Sequence, residues 1–360
     1  MLIETESQLK QGSDERLGAP ATAASPKSQR IPALDFTKGA LVLIMVLYHW
    51  INYFIGPQWK YYFYLRFLTP SFIFITGFMV SHVYLSKYSA ADCKLSRRLI
   101  TRGLKLMAIF LALNLARNVI VPILGTGTSI KDMISPQLLV MFFILGNLPV
   151  EGPKLVSFSI LVPISYLLIL CGALMLSYRR YRYTFHIACF CLLLASLILG
   201  YAGARNYNME FVAVGMLGVL AGFAPIRKVD TPGRYKYLLI LAYIGYLIVI
   251  TIWNVPFLLL IVAVLLNLWI LYVVGSSGTK TSAVRKEVIL LGKYSLFGYI
   301  SQVAILQFLS KGYQRVDLGI AQLPSSFLAA VVLTVLAVEL VDRARARSRD
   351  ADRLYKAIFA

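Results

Sequence analysis

Apolar runs of roughly 17 to 25 residues recur along this chain between short polar stretches, the length a helix needs to cross a ~30 Å hydrocarbon layer. They fall near 38–55, 64–86, 102–122, 157–177, 184–202, 207–224, 236–252, 256–274, 288–309 and 321–341. The pattern predicts an all-α protein, a polytopic membrane bundle of about ten transmembrane helices. A further apolar piece, 136–149, is only 14 residues long and bounded by Pro136 and Pro149. It reads as an eleventh span or as a re-entrant or interfacial segment.

Charge separates these choices. With both termini cytoplasmic, ten crossings leave 28 of the 36 Lys and Arg residues on the cytoplasmic side. An eleventh crossing would send one block of them outward, so the positive-inside rule favours ten spans. The net charge of +20 is therefore a topology signal, and nucleic acid is not an expected partner, because no soluble basic domain is present to bind it. Composition agrees: a chain 59% hydrophobic and 14% charged is too apolar to be covered by polar surface in water. The expected setting is the lipid bilayer of the cell inner (plasma) membrane, crossed many times.

Either side of the expected membrane domain, 34–342, lie two polar segments. Residues 1–33 lack the basic and apolar blocks of a cleaved signal and read as a disordered cytoplasmic tail. Residues 343–360 mix both charges with a few apolar positions, which suits either a short helix on the inner surface or a solvated tail. Cys93 falls in a cytoplasmic loop, and Cys171, Cys189 and Cys191 fall in spans, so no disulfide framework is implied. The Leu, Ala and Phe around the Cys189-x-Cys191 pair offer no further ligands, which leaves packing as its role and no metal expected.

Candidate chemistry is concentrated in the first apolar run, LDFTKGALVLIMVLYHWINYF. Asp35, Lys38 and His49 share one helix face, and at ~1.5 Å per residue His49 lies roughly 16 Å beyond Lys38, well inside the membrane. A titratable group at that depth is a functional candidate, the plainer alternative being a neutral histidine hydrogen-bonded between helices. His82 and His186 sit near cytoplasmic helix ends, where water or headgroups are in reach. An imidazole with a pKa near neutrality suits removal of a proton from a hydroxyl. At the Lys38 level the second cytoplasmic loop adds Arg97, Arg98, Arg102 and Lys105, and positions 98, 102 and 105 share a face. Such a cluster suits the phosphates of a nucleotide-like carrier such as coenzyme A; ordinary positive-inside residues are the other reading.

The stretch RIPALDFTKGALVLIMVLYHW resembles the first-span signature of the acyltransferase family 3 superfamily: an Arg, then Leu-Asp, then a basic residue with Gly, then a hydrophobic run ending in His. Lys38 and His49 occupy its basic and histidine positions. The next span, LTPSFIFITGFMVSHVY, is similar to that group's second span through Pro70, Phe72, Phe74, Gly77 and Phe78, and RRLITRGLKL to its basic third-span start. Related branches succinylate periplasmic glucans or N-acetylate heparan glucosaminide. The resemblance implies an enzyme, an acyltransferase moving groups other than aminoacyl from cytoplasmic acyl-CoA, most simply acetyl-CoA, to an extracytoplasmic glycan. Residue by residue it implies Lys38 on the donor side and His49 as general base; the basic cluster of Arg98, Arg102 and Lys105 is expected on the donor with Lys38, and Asp35 is grouped with His49 as catalytic.

Two departures stand out. Arg98 and Arg102 are separated by three residues where the family's arginine pair has two, and Arg102 with Lys105 fills the two-residue spacing. Late in the chain LGKYSLFGYISQVAIL resembles the family's segment ending Y-x-x-H, yet Gln302 stands in the place of the histidine. On the outer side, the aromatic stretch NYFIGPQWKYYFYLRF suits either sugar stacking or an interfacial belt. Arg66, Arg117, Glu151, Arg205 and Glu210 lie near the same face, where an acid could orient His49, while Glu339 is expected to pair with Arg343 one turn on. The alternative function is a proton-coupled transporter or flippase of a glycan or small molecule. Against it, residues 180–360 hold no second copy of the Asp35, Lys38 and His49 pattern.

Overall fold

In the computed structural model, residues 31–56, 64–85, 93–123, 140–146, 157–178, 181, 183–224, 236–252, 257–277, 282–313 and 319–359 are described. All regular structure among them is helical. The helices are α1 (Pro32–Trp50), α2 (Leu68–Met79), α3 (Cys93–Ile123), α4 (Leu161–Tyr178), α5 (Thr184–Tyr201) and α6 (Tyr207–Gly222), followed by α7 (Lys236–Ile252), α8 (Phe257–Ser277), α9 (Ala283–Lys293), α10 (Ser295–Tyr313), α11 (Gln322–Arg347) and α12 (Arg349–Phe359). Short π-helical turns extend α1 through Ile55 and α2 through Leu85, and another spans Val140–Leu145.

Every apolar run of the sequence holds a helix, but among the described residues fewer than ten helices are by themselves long and apolar enough to cross a membrane. Seven are long and apolar enough, and α9 with α10 makes an eighth if the bent pair is one span. The shortfall is length: α6 has 16 residues and α7 has 17, about 24 to 26 Å of helix against a ~30 Å core. Helix α3 begins at Cys93 and carries Lys94, Arg97 and Arg98 on an extension N-terminal to the expected span. Of the expected segment 136–149 the described part is one π-helical turn, held by Asn208, whose Nδ2 donates to the carbonyls of Phe142 and Phe143 at 2.9 Å each. The N-terminal tail lies outside the described residues except Ile31–Ala33, where Pro32 opens α1 in the first-turn position that needs no N–H donor.

The expected single span 288–309 is not one helix: α9 and α10 meet at 95° around Tyr294. No proline marks the bend, and Gly292 stands two residues before it. Tyr294 is buried and tied to α11, where its hydroxyl donates to Asp342 at 2.6 Å and accepts from Arg345 at 3.0 Å. Those bonds hold the ring where a continuous helix would carry it away.

Close helix contacts use small residues. A Cβ at Gly39 of α1 would run into the Val288 carbonyl of α9, and one at Gly292 into the Asp35 carbonyl. The same device joins α2 to α6, where a Cβ at Gly77 would strike the Gly215 carbonyl. Without a hydrophobic drive between helices in lipid, such backbone approach supplies the packing that holds a bundle together. The surface agrees with that solvent: Phe190 of α5 is 66% exposed, Leu241 of α7 66% and Leu258 of α8 57%.

Candidate functional site

Helix α1 positions the polar face read from the sequence. Lys38 Nζ lies 2.5 Å from Asp35 Oδ1, one turn back, with both side chains largely covered. This pairing places Asp35 at the Lys38 end; the fourteen-residue step to His49 is about 21 Å of helix. Asp35 therefore holds Lys38 and does not reach His49.

Lys38 opens onto a cavity of about 210 Å³ framed by α1, α2, α3, α4 and α10. Arg102 of α3 lines the same cavity, and its Nη1 donates to the Tyr84 hydroxyl. Beyond this cationic end the wall is mainly apolar, with Ile75, Leu106 and Ile164. Tyr299 of α10 also lines it. The basic trio expected on one face divides: Arg102 faces the cavity, whereas Arg98 and Lys105 are exposed. Lys105 donates to the Ala357 carbonyl of α12 at 3.3 Å, which brings the C-terminal helix to the rim.

His49 lies behind Tyr299. Their ring centroids are 6.1 Å apart, and Phe158 stacks edge-on against Tyr299 at 5.9 Å. The Nε2 of His49 is shut off from solvent. Tyr48 packs edge-on against the imidazole at 5.2 Å. The cavity thus joins Lys38 and Arg102 to Tyr299, and an aromatic wall separates it from His49.

Past this wall the groups are polar again. Gln307 Nε2 donates to the Tyr53 hydroxyl at 3.2 Å, and Trp50 Nε1 to the Ser326 hydroxyl at 2.9 Å. Among the outer acids, Glu210 is 2% exposed at the start of α6, with Arg205 Nε 3.4 Å from its Oε1. Glu151 and the Arg117 side chain lie outside the described residues. His82 stacks on Phe78 at 5.2 Å, His186 on Phe223 at 6.3 Å, and Cys171 and Cys189 are buried in the apolar core. Arg343 pairs with Glu339 as the spacing predicts.

Sequence reasoning missed Tyr84 and Tyr299 as cavity residues. Tyrosine occurs 22 times in the chain, and only tertiary placement separates these two from the interfacial belt. Gln302, noted for standing where a histidine was expected, is fully buried, and among the described residues neither its Nε2 nor its Oε1 has a hydrogen-bond partner. No family model, curated protein or solved structure matches this chain.

Proposed function

We propose that this protein is an integral membrane acyltransferase that moves an acyl group, acetyl in the simplest case, from cytoplasmic acyl-CoA to an extracytoplasmic carbohydrate. The supporting observation is the cavity that connects Lys38 and Arg102 with Tyr299, against which His49 packs. In this reading ten helices cross the inner (plasma) membrane with both termini cytoplasmic, α6 and α7 being short spans. Arg102 and Lys38 receive the donor's phosphates, Arg102 as a planar fork and Lys38 as a point charge shared with Asp35. The apolar wall excludes water from the thioester. His49, on the outer side of Tyr299, takes the proton from the acceptor hydroxyl or amine. The first-span resemblance to acyltransferase family 3 points the same way.

Purified protein given labelled acetyl-CoA and a glycan acceptor tests this. Replacing His49 by Ala should lower turnover by about 10²- to 10⁴-fold, the usual contribution of a general base. Unchanged turnover in that variant would sink the assigned mechanism. Substrate-dependent proton flux in vesicles lacking any acyl donor would instead favour the transporter class.

A further inference from the structure

Helix α10 carries Tyr299 and, one turn on, Gln302. Gln302 has no exposed surface, and among the described residues it is a carboxamide with all of its hydrogen-bonding capacity unmet. An unpaired amide away from water costs several kcal/mol in hydrocarbon, about 4 to 8 by transfer to cyclohexane, so a residue tolerated there has a use.

Its surroundings are fixed by the turns on either side. A Cβ on Gly298 would sit 3.3 Å from Val42 Cγ1 and 3.7 Å from Val338 Cγ2, and Leu306 shares a cluster with Val46 of α1 and Ala330 of α11. Gln302 therefore lies at the junction of α1, α10 and α11, level with the stretch of α1 between Val42 and Val46. The buried hydroxyls of α11 along this junction, Ser326 and Thr334, donate to the Leu323 and Ala330 carbonyls at 2.9 and 2.7 Å and are already engaged. Tyr299, in contact with His49, forms the cavity side of the same group.

We propose that Gln302 is a catalytic residue whose side-chain N–H stabilises the oxyanion on the acyl carbonyl during transfer at His49. The inference rests on the acyltransferase reading above. As His49 takes the acceptor's proton, the acceptor oxygen or nitrogen bonds to the thioester carbon and the carbonyl electron pair moves onto oxygen, where the Gln302 amide donates to it. Collapse restores the carbonyl, breaks the carbon–sulfur bond and expels the thiolate, which takes the proton back from the imidazolium. The products are the acylated acceptor and free coenzyme A. An amide donor left unsatisfied in the resting protein and satisfied as charge develops stabilises the transition state over the ground state, as catalysis requires.

The test pairs activity with stability in Gln302→Leu and Gln302→Met, which keep bulk and remove the donor. Turnover should fall about 10²- to 10³-fold with donor KM unchanged, the loss typical of one oxyanion donor. Both variants should melt at or above the wild-type temperature in detergent, because an apolar group replaces an unpaired amide. Turnover within threefold of wild type overturns the assignment, and so does loss of folding in both variants, which would make Gln302 structural. An inactive wild type across acyl donors and glycans would instead overturn the acyltransfer reading, and this assignment with it.

Discussion

Lys38 and Asp35 form one unit, and removing either charge tests what that unit is for. Lys38→Gln should raise donor KM roughly tenfold, the value of one charge-assisted hydrogen bond, while kcat stays within about threefold. Asp35→Asn should shift donor affinity through Lys38 and leave kcat nearly unchanged, since about 21 Å of helix separates it from His49. Steady-state kinetics on the two variants would show the split, and a kcat loss in Asp35→Asn comparable to His49→Ala would contradict it. The separation of Lys38 from His49 was legible in the sequence because both lie on one helix whose rise per residue is known. The three-residue step that sets Asp35 beside Lys38 was legible for the same reason, whereas the cavity onto which Lys38 opens was not, because α2, α3, α4 and α10 complete it. Tyr299 was equally hidden: its part depends on a contact between α1 and α10, whose 250-residue separation in sequence no local pattern encodes.

At the level of elements, the tightest joint is that of α1 with α9, where Gly39 and Gly292 let the backbones touch. Gly292→Ala should destabilise the protein by about 1 to 3 kcal/mol through overpacking, read as a lower melting temperature in detergent, and donor binding should weaken because α1 carries Lys38. Gly245, around which a Cβ meets nothing, is the control: Gly245→Ala should leave both unchanged. The existence of each apolar helix was readable from hydropathy, which needs no tertiary information. The bend at Tyr294 was not, for it is set by bonds to Asp342 and Arg345 from another helix. One local signal did exist, in that Arg285, Lys286 and Glu287 make the start of α9 polar and shorten the stretch that lipid can accept.

For the whole molecule, α12 is the element that packs back over the start of α10 and the end of α11. Tyr355 packs edge-on against Tyr294 at 5.3 Å, Phe359 against Phe297 at 5.9 Å, and Arg345 bonds Asp352 at 2.6 Å. Hydrogen bonds from Lys356 and then Arg345 hold the Asp352 carboxyl below its ordinary value. A carboxyl depressed in the folded state adds to stability above its unfolded pKa and loses that contribution as pH falls through the lowered one. Docking of α12 should therefore persist at neutral pH and weaken below about pH 4, read as faster proteolysis after Arg347. Asp352→Asn should be cleaved faster at neutral pH and show little further change on acidification. Tail docking also has a consequence in time. The ribosome makes α12 after all the apolar helices described, so the rim contact between Lys105 and Ala357 forms only once those helices have been synthesised. A message cut short just past the codon for Arg347 would still encode every apolar helix described, but not the carbonyl to which Lys105 donates.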